Sequence, residues 1–83
     1  MLNQVSLVGR TLKSERVEDN TVIMLQISRF EDDEIEYIPV VVNSATQNRI
    51  GYLRKSDLIG ITGRLHYEKG SIKVIADRIS YVG

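Results

Sequence analysis

Thr21-Val-Ile-Met-Leu-Gln-Ile-Ser28 and, after an acidic interruption, Ile35-Glu-Tyr-Ile-Pro-Val-Val-Val-Asn43 are the stretches whose reading decides the fold. Successive side chains of a strand point to opposite faces. The first stretch sorts into Ile23, Leu25 and Ile27 on one side, with Val22, Met24, Gln26 and Ser28 on the other. The second sorts into Ile38, Val40 and Val42 against Tyr37, Pro39, Val41 and Asn43. Each carries one aliphatic face and one mixed face, the pattern of a half-buried strand. Pro39 has no backbone N–H to donate, so a bulge or an unpaired stretch is expected there. Between the two, Glu31-Asp-Asp-Glu34 sets four carboxylates in a row. Like charges paired across a ladder repel, so this run reads as a solvated loop.

Working outward, residues 2–14 read as a first strand, with Val5, Leu7 and Gly9 sharing one face. Glycine inside a strand points to a bend or bulge, here at Gly9. Residues 15–20 are polar and read as a connecting turn. Downstream, residues 44–55 read as one short helix. Asn43 or Ser44 can cap it, and Ile50 and Leu53 lie three apart on one helical face. Gly51 weakens that helix by roughly 1 kcal/mol against alanine. A fourth strand, Leu58 to Tyr67, puts Ile59, Ile61, Gly63 and Leu65 on one side. Glu68-Lys-Gly70 reads as a tight hairpin connection. The last strand, Ile72 to Val82, shows Ile72, Val74 and Ala76, then slips in phase to Ile79 and Tyr81, as a β-bulge requires.

Composition agrees. Val, Ile and Thr number 23, against two Ala and one Pro, and branched side chains favour pleated surfaces over helical turns. At 83 residues a single domain spanning 1–83 is expected. Such a chain buries only about 60% of its unfolded surface, which argues against a large enclosed active site. Lysine plus arginine and aspartate plus glutamate are 11 each, for a formal net charge of zero. With no cysteine, disulfide frameworks, thiolate nucleophiles and cysteine zinc sites are excluded. No apolar stretch approaches 18 residues, and Met1-Leu-Asn-Gln4 lacks a basic region leading into an apolar one. A cytoplasmic protein is expected, neither membrane-spanning nor secreted.

Five strands with a helix between the third and fourth is the order of an all-β OB-fold, a five-stranded, partly open Greek-key barrel. Ile23, Leu25, Ile27, Ile38, Val40, Val42, Ile59, Ile61 and Leu65 are expected to line its interior, and Ile50 and Leu53 to plug one end. The residues opposite them on the second and third strands form the outer surface.

Met1-Leu-Asn-Gln-Val-Ser-Leu-Val-Gly-Arg10 resembles the opening of bacterial single-stranded DNA-binding proteins. Tyr37-Ile-Pro-Val-Val-Val42 resembles that family's third strand, Tyr52-Leu-Arg-Lys55 its helix end, and Gly63-Arg-Leu65 its fourth strand. Primosomal replication proteins share the architecture. The resemblance implies non-catalytic binding of single-stranded DNA in replication, recombination or repair, and a homo-oligomer, dimer or tetramer. The open edge of the first strand is the expected assembly surface. There are departures: no tryptophan, one phenylalanine, and Asn43 where another aromatic is expected. The last hairpin is short, and the sequence stops at Gly83, short of the flexible tail and acidic tip that the resemblance implies.

Sequence-tolerant binding of a single strand needs flat rings for bases and cations along the phosphates. The stacking candidates are Tyr37, Phe30 and Tyr67. The first two fall on the outward side of neighbouring strands if the second strand continues to Phe30. Tyr52 and Tyr81 read as core or interface residues. The candidate cations are Arg10, Arg29, Arg64, Lys69 and Lys73, which closure is expected to gather on one side. An enzyme is not expected. His66 is the only histidine, there is no glycine-rich phosphate loop and no metal-ligand spacing, and the acidic loop lacks the glycine and spacing of an EF-hand. No cofactor is expected. The alternative is a primosomal-type protein-interaction adaptor with weak nucleic-acid binding, which the missing tryptophan and the acidic loop favour. A third option, an RNA-binding OB domain, would prefer strands with 2′-hydroxyls.

Overall fold

The computed structural model describes residues 3–28, 34–51 and 53–82. The elements are β1 (Val5–Val17), β2 (Asn20–Ser28), β3 (Ile35–Asn43), α1 (Ser44–Ile50), β4 (Leu58–Glu68) and β5 (Ser71–Tyr81). The strands close into a barrel in the order β1-β2-β3-β5-β4, the expected OB-fold.

Its interior follows the alternation. Ile23, Leu25, Val40, Val42, Ile59, Ile61, Val74, Ala76 and Ile79 are buried together with Leu53, and Leu7, Ile27 and Ile38 pack against them. Fully burying such a side chain stabilises the fold by about 1.5–3 kcal/mol, which holds the inward register of every strand. Leu65 departs from the expectation. It keeps the inward parity but is 47% exposed, because β4 and β5 continue past the barrel as a two-stranded arm paired out to Glu68 and Ser71. Lys69 and Gly70 close the arm, both with positive φ, the geometry that matches the twist of a two-residue hairpin.

β1 is longer than expected. It runs through Lys13 to Val17, and Glu18-Asp19 makes the turn into β2. Nor is it an open edge throughout: Val5–Arg10 pair with β4 and Arg10–Val17 with β2. Its irregularity falls between Thr11 and Lys13, not at Gly9. Gly9 instead allows close approach, since a Cβ there would stand 2.6 Å from the Gln26 carbonyl oxygen. The phase slip in β5 is present: Thr62 faces Arg78 and Gly63 faces Ala76, leaving Asp77 as the extra residue. At Pro39 no bulge forms. The ladder to β2 runs through it in register, and the pairing with β5 is at Val40 and Val41.

The helix is shorter than 44–55. The Asn43 side chain accepts from the Thr46 N–H at 2.8 Å, and Gly51, at φ 77, ends the helix after seven residues. The chain then turns back to β1. Ser56 donates to the Thr11 carbonyl at 2.6 Å, and Thr11 donates to that of Asp57 at 2.9 Å. Leu53 reaches the core from this non-helical segment, at 5% exposure. The side chain of Ile50, its expected companion in the plug, lies outside the described residues. No helix among the described residues is long and apolar enough to cross a membrane.

Candidate nucleic-acid interface

Side chains directly opposite in a ladder share a face, so the registers assign the outer surface residue by residue. Three rows cross β1, β2 and β3. Arg10 faces Gln26, which faces Tyr37; Lys13 faces Met24, which faces Pro39; Glu15 faces Val22, which faces Val41. Val41 continues onto Ile75 of β5, and Ile75 onto Arg64 of β4. Lys73, two residues before Ile75, extends the same face and pairs with His66. The face therefore has a half-buried aliphatic floor of Val22, Met24, Pro39, Val41 and Ile75. Arg10, Lys13, Tyr37, Lys73 and Arg64 stand around it, with Glu15 beside them. Tyr37 is 53% exposed, so its ring is accessible.

Of the eight residues expected to form the site, Arg10, Tyr37, Arg64 and Lys73 share this face. Arg29 and Phe30 lie outside the described residues, as do Tyr52 and residues 31–33 of the acidic loop. Tyr67 falls elsewhere. It faces Ile72 across the arm, in the parity of Leu65 and Val74, so it presents its 69% exposed side chain on the opposite side of the ribbon from Lys73. Lys69 sits in the turn at the arm's tip. Tyr81, read as core or interface, is exposed at the end of β5.

Lys13 and His66 were not among the expected residues. Counted in strict alternation from Gly9, Lys13 points inward; the bulge at Leu12 turns it outward beside Met24. The signal is the break in alternation at Leu12-Lys13. Asn43, where an aromatic is expected, serves α1 instead through its cap. Arg78 lies with Thr62, Ser6, Ser80, Gly60 and Val8 on a second outer surface, that of β1, β4 and the end of β5.

Two cations of the arm, Arg64 and Lys73, are paired, and His66 stands beside the carboxylate that Lys73 pairs with. Arg64 Nη1 stands 3.2 Å from Asp77 Oδ1, Lys73 Nζ 3.5 Å from Glu68 Oε2, and His66 Nε2 3.7 Å from the same oxygen. On the β1 side, Arg10 Nη1 donates to the Ser56 carbonyl at 3.1 Å. Among the described residues no group of three or more His, Asp or Glu side chains could hold a metal ion.

An OB barrel whose outer β1-β2-β3 face is aliphatic at the centre and charged at the rim is thus the class of structure that these residues build. Solved structures share the barrel fold along nearly their whole length. The N-terminal domain of PriB from Thermoanaerobacter tencongensis, solved as a dimer, matches with a TM-score of 0.76 at 22% identity, over 98% of this chain and 97% of that one. The mitochondrial single-stranded DNA-binding protein Rim1 of S. cerevisiae matches with a TM-score of 0.82 at 16% identity, over 99% and 96%. A small single-stranded DNA-binding protein of Mycoplasma pneumoniae gives 0.71 at 19%, over 96% and 93%. No protein-family model and no curated protein sequence matches the chain; the likeness is one of fold.

Proposed function

We propose that this protein binds single-stranded DNA, without catalysis and with tolerance for sequence. The supporting observation is the convergence of Arg10, Lys13, Tyr37, Arg64 and Lys73, drawn from four strands, around one aliphatic floor. Bases can stack on the Tyr37 ring and lie on the floor, while the cations follow the phosphates; stacking on an aromatic side chain contributes about 1–3 kcal/mol per base. OB-folds commonly present the face of their second and third strands to oligonucleotides, and the matched proteins named for single-stranded DNA binding share this barrel. Arg29 and Phe30 belong to the same proposal from sequence, with Lys69 and Tyr67 reaching a strand from the arm. The proposed setting is replication, recombination or repair in the cytoplasm. One domain over 1–83 offers room for few nucleotides, so a homo-oligomer that links several faces raises the overall affinity.

A second reading, a primosomal-type adaptor that docks a protein, is favoured by one observation: the floor is aliphatic where base-stacking surfaces are aromatic. Titration of fluorescent oligo-dT at low and moderate salt separates the two. Binding that weakens steeply as salt rises supports the first, because phosphate contacts release counterions. No binding at low salt by the folded protein removes the first and leaves the second.

A further inference from the structure

The arm places two carboxylates on the very face that carries the cations. Glu68 shares the outward parity of His66, Arg64 and Lys73, and its Oε2 lies within 3.7 Å of both the His66 and the Lys73 side-chain nitrogens. Asp77 is the bulged residue of β5, and the bulge brings its carboxylate to Arg64 at 3.2 Å. The two sides of the face differ in how their cations are held. On β1, Lys13 has no ion pair among the described residues, and Arg10 is held by a neutral carbonyl. Arg64 and Lys73 therefore already have anionic partners, and those partners are half-exposed carboxylates.

We propose that Glu68 and Asp77 are internal competitors for the cations of the arm, so that a phosphodiester engages Arg64 and Lys73 by displacing a carboxylate. This inference rests on the single-strand reading of the same face. Its physical content is an exchange. In the free protein each carboxylate holds the place beside its cation that a phosphate oxygen would take, and binding must break that pair before the new one forms. Exposed ion pairs are weak, so the exchange is readily reversible. The β1 side then provides the standing attraction and the arm provides contacts that are readily released, which suits a protein that must let go of a strand as well as hold it.

The test compares oligo-dT affinity of the unaltered protein with that of E68Q, D77N and the double variant. D19N, in the β1–β2 turn and outside the Arg64–Asp77 and Lys73–Glu68 pairs, is the control for an equal change in net charge. All are first checked for coincident thermal melts. The expected result is tightening of about twofold to fivefold for each arm variant, the scale of an exposed ion pair, with little change for D19N. The slope of log affinity against log salt is expected to stay the same, because Arg64 and Lys73 contact phosphate in the unaltered complex as well. Arm variants that match D19N overturn the inference while leaving DNA binding intact. Arm variants that bind more weakly overturn it too, since the carboxylates would then be positioning Arg64 and Lys73. Absence of binding by every protein, including the unaltered one, removes the single-strand reading itself and the inference with it.

Discussion

Thr11 occupies an inward position of β1 beside Leu25, at 2% exposure, and its hydroxyl has no hydrogen-bond partner among the described residues. A buried polar group without a partner is destabilising. Thr11→Val is accordingly expected to raise the unfolding free energy by about 1 kcal/mol, measured by urea denaturation. Tyr37 tests the opposite face at the same scale. Tyr37→Ala is expected to weaken oligo-dT binding by about 1–3 kcal/mol, while Tyr37→Phe keeps the ring and most of the affinity. Equal losses in both variants would assign the effect to the hydroxyl and remove stacking from the account. Tyr37 was legible because the alternation of 35–43 holds throughout β3. Lys13 was not, because one extra residue in β1 reverses the parity of everything beyond it.

At the scale of elements, the helix and the arm are where local pattern and structure part. Ile50 and Leu53 have helical spacing, yet the helix ends at Gly51 and Leu53 is carried to the core by a segment bonded to β1. A spacing of three is satisfied by a helix but does not require one. Asn43→Ala removes the cap and is expected to destabilise the protein by about 1 kcal/mol, with the melting temperature as readout. The arm was half legible. The turn at Lys69-Gly70 and the slip near Asp77 could be read from residue types, whereas the length by which β4 and β5 overshoot the barrel depends on where the other strands end. That overshoot puts Leu65 in solvent and Tyr67 on the far side of the ribbon. Tyr67→Ala should therefore reduce oligo-dT affinity less than Tyr37→Ala does, in the same titration. A larger loss at Tyr67 would move the binding surface to the other side of the arm.

The whole molecule has two outer surfaces of different character. One has the aliphatic floor rimmed by cations and by the carboxylates of Glu15 and Glu68; the other, on β1, β4 and the end of β5, carries Ser6, Val8, Gly60, Thr62, Ser80 and a single arginine, Arg78. A net charge of zero reveals neither, because it is distribution that guides a polyanion to a surface. Barrel closure makes the difference, gathering residues as distant in sequence as Arg10 and Lys73 onto one side. The measurement that bears most directly on this is amide chemical-shift mapping of the labelled protein as oligo-dT is added. Shifts concentrated at Arg10, Lys13, Gln26, Tyr37, Lys73 and Arg64, with Ser6, Thr62, Arg78 and Ser80 unmoved, are the result predicted. Shifts confined to the second surface, or none at saturating oligonucleotide, would contradict the assignment of the β1-β2-β3 face as the place where a single strand binds.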